Sequence, residues 1–284
     1  MELRQATRKK AKIRLGLSAV SGGGKTYSAL LIARGLSSSW EKVAIIDTEN
    51  GSADLYSHLG NYNVITLNNH SPEDYIAAII TCEKAGMETI ITDSITHEWD
   101  WCLDYQSQIG GKYQDWAKVS PRHEAFKTKI INSNCHIITT VRRKQDYDMI
   151  KDSNGRTKVE KAGLKEQTRE GWEYELTINL ELDIRHFATA GKDRTGLFMD
   201  KPAFIPTIET GELIKNWCEL GIDPYEQERK EFEQFKEEVD KIGSIEGLGK
   251  IASKWDYRNK PKEWQDLIKD KNNLLKQAET DEGK

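Results

Sequence analysis

"SAVSGGGKTYS", residues 18–28, decides the fold. The phosphate-binding loop pattern is G-x-x-x-x-G-K-[ST]. Gly24, Lys25 and Thr26 satisfy its end, while Ala19 stands where its first glycine belongs. A short apolar run at 13–17 (IRLGL) precedes the glycines. "KTYSALLIARGL" follows, with Ala29, Leu30, Ile32, Ala33 and Leu36 at helical spacing. Strand, glycine loop and helix together make the context in which backbone N–H groups close around phosphate oxygens, aided by the helix dipole. Ser21, Gly22, Gly23, Gly24, Lys25, Thr26 and Tyr27 are therefore the expected nucleotide-binding residues, with Lys25 reaching the β- and γ-phosphates and the Thr26 hydroxyl on Mg²⁺. The first position of the pattern sets the turn out of the strand. An alanine methyl is tolerated there if the backbone torsions suit an L-residue.

Outward from this loop, apolar runs alternate with helical patterns. "KVAIIDTE" (42–49), "NVITL" (63–67), "METIITDS" (87–94) and "CHIITTVRR" (135–143) read as strands. "SPEDYIAAIITCEKAG" opens with Ser71 as N-cap, Pro72 at the first helical position and Asp74 in a capping-box position. "SPRHEAFKTKIINSN" repeats that Ser-Pro start at Ser120 and Pro121. This order predicts an α/β domain with a mostly parallel sheet flanked by helices. Residues 144–170 are polar without clear periodicity and read as a long loop or flap. Residues 174–184 read as strand, and 186–198 as two short strands around a turn. The predicted organisation is an ATPase core over 1–222 and a charged helical segment over 223–284, in which Trp255, Trp264, Leu267 and Leu274 either form a small core or line a helix packed on the ATPase domain.

Two further acids complete the expected chemistry. Asp93 ends the apolar strand "TIITD", where a Mg²⁺-binding acid belongs. Glu49 ends the strand after the glycine-loop helix and is the expected base that orients water, with Asp47 a weaker candidate and Glu98 the rival.

"AVSGGGKT", "IIDTENGSA", "IITDSITHEW" and "HIITTVRRK" together resemble the RecA-type core ATPases, and most of all the small bacteriophage RecA-like ATPases found with recombination genes of the single-strand annealing class. The resemblance covers about residues 10–200 and implies a RecA-like P-loop fold, ATP and Mg²⁺ as cofactors, and assembly into a ring or filament. It implies Glu49 as base and Asp93, in the Asp93-Ser94 pair that such strands often end on, as the metal-binding acid. "GKDRTG" (191–196) resembles the K-x-R-x-G element of DnaB-type helicases, which implies that Lys192 and Arg194 complete a neighbouring subunit's active site. Thr139 or Thr140 would sense the γ-phosphate. Only a short basic arm precedes the first strand, so a ring is expected as readily as a filament.

The resemblance also implies single-stranded DNA as a partner. The formal charge of −4 gives no global basic field, so such binding must be local. Residues 142–169 hold nine Lys/Arg, of which Arg142, Arg143 and Lys144 are the expected DNA contacts, with Tyr147 placed to stack on a base. The basic arm 4–14 is a second candidate. A protein partner docking on the C-terminal segment is the competing expectation, and a small-molecule kinase a third. Four cysteines without C-x-x-C spacing read as reduced thiols of a cytoplasmic protein, and neither a signal peptide nor a membrane-spanning run is expected.

Overall fold

The computed structural model describes residues 5–151, 157–223 and 226–282. Its core opens with β1 (Arg14–Ala19), α1 (Lys25–Leu36), β2 (Val43–Asp47), β3 (Asn63–Thr66), α2 (Pro72–Lys84) and β4 (Thr89–Asp93). It continues through α3 (Thr96–Gln108), α4 (Trp116–Ile131), β5 (His136–Lys151), β6 (Thr157–Glu166), β7 (Ile178–Leu182), β8 (Ala188–Asp193) and α5 (Ile208–Glu219). The central sheet runs in the order β3-β2-β4-β5-β1-β7-β8, parallel throughout except for the last pair, and β6 pairs with β5 alone. This is the mostly parallel, helix-flanked fold that the sequence predicts.

Strand parity distributes the core. Ile45, Ile91 and Ile138 pack with α1 and α5, through Leu30, Ile32, Ala33 and Ile214. Their neighbours Ala44, Ile46, Ile90 and Ile137 pack on the other face with α2 and α4, through Tyr75, Ile79, Phe126 and Ile130. Period-2 alternation with apolar residues at both parities is what a strand covered on two faces requires. Because six strands run parallel, their carboxyl ends form one rim. The loop after β1, the acids after β2 and at the end of β4, and the basic pair within β5 all fall on it.

Three expectations change. Residues 144–170 are not an open loop: β5 continues to Lys151 and pairs antiparallel with β6, from Arg143↔Glu166 to Lys151↔Thr157. A ladder between two strands is closed by backbone groups, so it forms without the apolar alternation that a buried strand displays. Residues 152–156, within the "KDSNGRTK" stretch, and the Tyr147 side chain lie outside what is described. Second, α4 starts at Trp116, so Pro121 sits inside the helix and not at its start. The Ser71–Pro72 start of α2 is as expected, with Ser71 Oγ accepting from the Asp74 N–H at 3.2 Å. Third, of the two strands read in 186–198 only β8 forms. The turn after it is organised by Asp193, whose carboxylate accepts from the N–H groups of Thr195, Phe198 and Met199.

The described chain divides into two compact units, Ala11–Glu219 and a second that joins the N-terminal stretch up to Lys10 with Leu220–Lys284. The second unit contains α6 (Glu226–Asp240), α7 (Ile245–Lys254) and α8 (Lys262–Glu282), closed around Phe235, Val239, Leu248, Trp264 and Ile268, with Trp255 and Leu267 packed against them. This segment has a core of its own. Leu274 is exposed, and Leu275 packs in its place. Among the described residues, no helix is long and apolar enough to cross a membrane.

Candidate active site

A cavity of about 790 Å³ opens at the carboxyl rim of the sheet, lined by Ser21, Gly22, Gly24, Lys25, Thr26, Tyr27, Glu49, Asp93, Arg142 and Arg143 among others. The glycine loop frames it. Gly22 and Gly24 have φ of +79° and +78°, where an L side chain is strained, and a Cβ on Gly24 would lie 2.8 Å from His186 Nδ1. Ala19 is the last residue of β1, extended and fully buried. A Cβ on Gly23 would meet the Ala19 methyl at 2.7 Å, so the glycine at 23 leaves the room that the methyl at 19 occupies. The departure from the strict pattern is therefore accommodated in place.

Lys25 Nζ folds back on the carbonyl oxygens of Ala19 and Val20, at 3.4 and 3.3 Å. Burial pushes its ammonium below the ordinary lysine range, which Asp93 and Glu49 partly oppose. Among the described residues no carboxylate forms an ion pair with Lys25, and a phosphate in the cradle would supply that close anionic partner. Asp93 is fully buried, and burial pushes its carboxyl up. Its two oxygens accept from the hydroxyls of Thr26 and Thr140, both at 2.5 Å. A hydroxyl and a carboxylate this close fit a small divalent cation that takes oxygen ligands. Thr26 and Asp93 are the residues that would hold Mg²⁺. Thr140 bonds to this acid, whereas Thr139 turns its hydroxyl to the Leu15 carbonyl of the neighbouring strand.

The acids after β2 separate by role. Asp47 is fully buried and caps the following turn, accepting from the N–H groups of Glu49 at 2.6 Å and Ala53 at 3.1 Å. Glu49 points into the cavity and is gripped by Arg142. Arg142 Nε donates to Oε1 at 2.9 Å, and Nη2 donates to Oε2. Burial alone would push Glu49 up, but this bidentate pairing holds it below the ordinary carboxylate range. Glu98, the rival, lies elsewhere: it is buried against His123 and Cys102 and does not line the cavity.

The geometry brings in residues that sequence reasoning missed. The Thr48 hydroxyl ties the ends of β2 and β4, donating to the Asp93 carbonyl at 3.0 Å and accepting from the Ser94 N–H at 2.9 Å, with His97 Nδ1 2.8 Å away. Tyr56, His186 and Gln167 line the cavity. Thr48 carried one signal, its place between two acids; the others carried none.

The expected DNA contacts divide as well. Arg142 belongs to the cavity. Arg143 donates to Glu181 at 2.7 Å and to the Leu164 carbonyl at 2.9 Å, and Lys144 is exposed. In the basic arm, Arg14 is buried and donates to the carbonyls of Ile13, Cys135, Ile131 and Ser133, which removes it as a nucleic-acid contact. Lys192 and Arg194 sit at the amino rim, because Asp193 pairs with Ile178 at the start of β7. Lys192 Nζ donates to the Glu173 and Tyr174 carbonyls, both at 2.7 Å, and Arg194 to Tyr174 at 3.1 Å. The length of β1 separates them from the glycine loop, about 17 Å of extended chain.

Residues 11–206 match the AAA domain family. The chain belongs to that family. The AAA domain thus spans the whole of the cavity and the sheet that carries it, and the protein is a P-loop NTPase. Among solved structures, this AAA domain protein is similar to a KaiC-like protein from the hyperthermophilic archaeon Pyrococcus horikoshii. That match has 17% identity and a TM-score of 0.40, over 68% of this chain and 85% of that one. No curated protein matches it.

Proposed function

We propose that this AAA domain protein is a Mg²⁺-dependent ATPase whose turnover is coupled to single-stranded DNA, acting as a multimer in phage-type recombination or replication. One observation carries the reading: both roots of the β5–β6 hairpin line the nucleotide cavity, through Arg142 on the outgoing strand and Gln167 on the return, and Arg142 holds the water-orienting candidate Glu49. Farther along the hairpin, Lys144 and Lys165 face each other across the ladder, both exposed. Like charges opposed in this way repel, and a phosphate backbone relieves the repulsion. A polyanion on the hairpin therefore acts on the strand that carries Arg142.

In this reading Lys25 and the loop N–H groups bind the triphosphate, and Thr26 and Asp93 hold Mg²⁺, which neutralises charge on the phosphate oxygens when bound. Glu49, once Arg142 turns away, accepts a hydrogen bond from the attacking water. Lys192 and Arg194 lie far from their own subunit's cavity, so a part in hydrolysis places them at a neighbour's. The second unit, with its own core and charged surface, is the docking site for a protein partner. That feature and the −4 charge favour a second reading, an ATP-driven switch or loader without a DNA grip.

ATP hydrolysis measured with and without single-stranded DNA across a salt series separates the two. The first reading requires stimulation that declines with salt, and a Lys144→Glu/Lys165→Glu variant with weaker DNA binding and a shallower salt slope. No stimulation at low salt, with hydrolysis otherwise intact, favours the switch.

A further inference from the structure

We infer that Glu98, Cys102 and His123 form a buried binding site for a thiophilic divalent cation, with Zn²⁺ the ion whose chemistry fits best. Glu98 and Cys102 stand four residues apart on α3 and so share one face. His123 meets them from α4. All three are buried, at 1%, 0% and 2% exposure. Cys102 Sγ lies 3.2 Å from Glu98 Oε1, and His123 Nδ1 lies 3.1 and 3.0 Å from the two carboxylate oxygens. One donor atom from each residue falls within 4.8 Å of the others.

Tetrahedral Zn²⁺, with thiolate at about 2.3 Å and nitrogen or oxygen at about 2.0 Å, spaces its donors roughly 3.3–3.5 Å apart. The separations to the carboxylate are already within a few tenths of an ångström of that. One Glu98 oxygen, the Cys102 thiolate and His123 Nδ1 supply three ligands of the tetrahedron, and a water takes the fourth position, since the two oxygens of one carboxylate are too close together to fill two corners. The charge also balances, since a dication on one thiolate and one carboxylate is neutral, as a buried site demands. Loading exchanges protons for the metal: the Cys102 Sγ–H proton leaves, with any proton shared between His123 Nδ1 and Glu98, and no electron moves. One sulfur, one imidazole and one carboxylate discriminate against Mg²⁺, which takes oxygen ligands. None of the three residues lines the nucleotide cavity. Because α3 begins at Thr96, just past Asp93, an ion here clamps α3 to α4 behind the nucleotide site.

The test uses the full chain, stripped with chelator and titrated with Co²⁺ as spectroscopic probe. The expected result is a thiolate-to-cobalt charge-transfer band in the near ultraviolet that saturates at one ion per chain. Zn²⁺ should abolish it and excess Mg²⁺ should leave it unchanged. It should be lost in Cys102→Ser and His123→Gln and kept in Cys82→Ser, and Zn²⁺ should raise the melting temperature of the unmutated chain. A folded, unmutated chain that shows no such band overturns the site whatever the variants do. A band that survives in Cys102→Ser assigns the cobalt to another thiol and overturns it equally.

Discussion

Arg142 and Glu49, 93 residues apart in sequence, meet in a bidentate ion pair inside the nucleotide cavity. Both carboxylate oxygens are engaged, so the acid proposed to orient water is held by the strand that continues into the hairpin. Arg142→Ala should raise ATP hydrolysis measured without DNA and reduce its further stimulation by DNA, whereas Glu49→Gln should bind ATP and hydrolyse it poorly. The pH profile supplies the sign. Arg142 keeps the Glu49 carboxyl low, so in Arg142→Ala burial dominates and the carboxyl rises. The acid limb of kcat/KM should then move to higher pH. An unmoved limb removes Glu49 from the rate-determining ionisation.

Restoring the strict loop pattern with Ala19→Gly should not raise ATPase activity. Ala19 is extended and its methyl is buried within the core. A glycine there loses buried surface and gains freedom in the unfolded chain, which lowers stability by about 0.5–1 kcal/mol. Urea denaturation and steady-state ATPase measurements check the two halves.

His136 should make the domain acid-sensitive. Its Nδ1 accepts the Ile13 N–H at 3.1 Å, which requires a neutral ring, and burial lowers its pKa from 6.5 to about 3. Between those values the unfolded chain takes up a proton that the folded chain refuses. The contribution is fully present above pH 6.5 and is lost as pH falls toward 3, with a slope of about 1.4 kcal/mol per pH unit. In His136→Asn, whose side-chain carbonyl can accept the same N–H, denaturation midpoints measured at pH 7 and pH 5 should differ less than those of the unmutated chain.

Lys192 and Arg194 are tested by complementation. If they serve a neighbour's site, Arg194→Ala and Glu49→Gln should each hydrolyse poorly, and a mixture should regain activity, because some interfaces then pair an intact Glu49 with an intact Arg194. Activity of the unmutated chain should rise faster than linearly with concentration until assembly saturates. If Arg194→Ala loses stability but keeps its rate, the role of Arg194 is the bond to the Tyr174 carbonyl alone.

The sequence by itself determined the local chemistry and the layering. Three glycines between a strand and a helix specify a phosphate cradle, and apolar runs alternating with helical patterns specify a parallel sheet covered on both faces. A strand-end acid at Asp93 then falls on the rim where the cradle opens. These follow from short-range torsional preference and periodicity, which a sequence displays directly. Only the tertiary structure decided which acid faces the cavity, because Glu49 and Glu98 both follow strands that reach the same rim. What separates them is the docking of α3 on α4, which draws Glu98 toward His123. It also decided that Arg142 turns inward to Glu49 while Lys144 stays exposed, and that the polar stretch after them pairs as a hairpin. The pairing of β5 with β6 rests on backbone groups that every residue carries, and the meeting of Arg142 with Glu49 depends on strand order. Neither leaves a period in the sequence to be read.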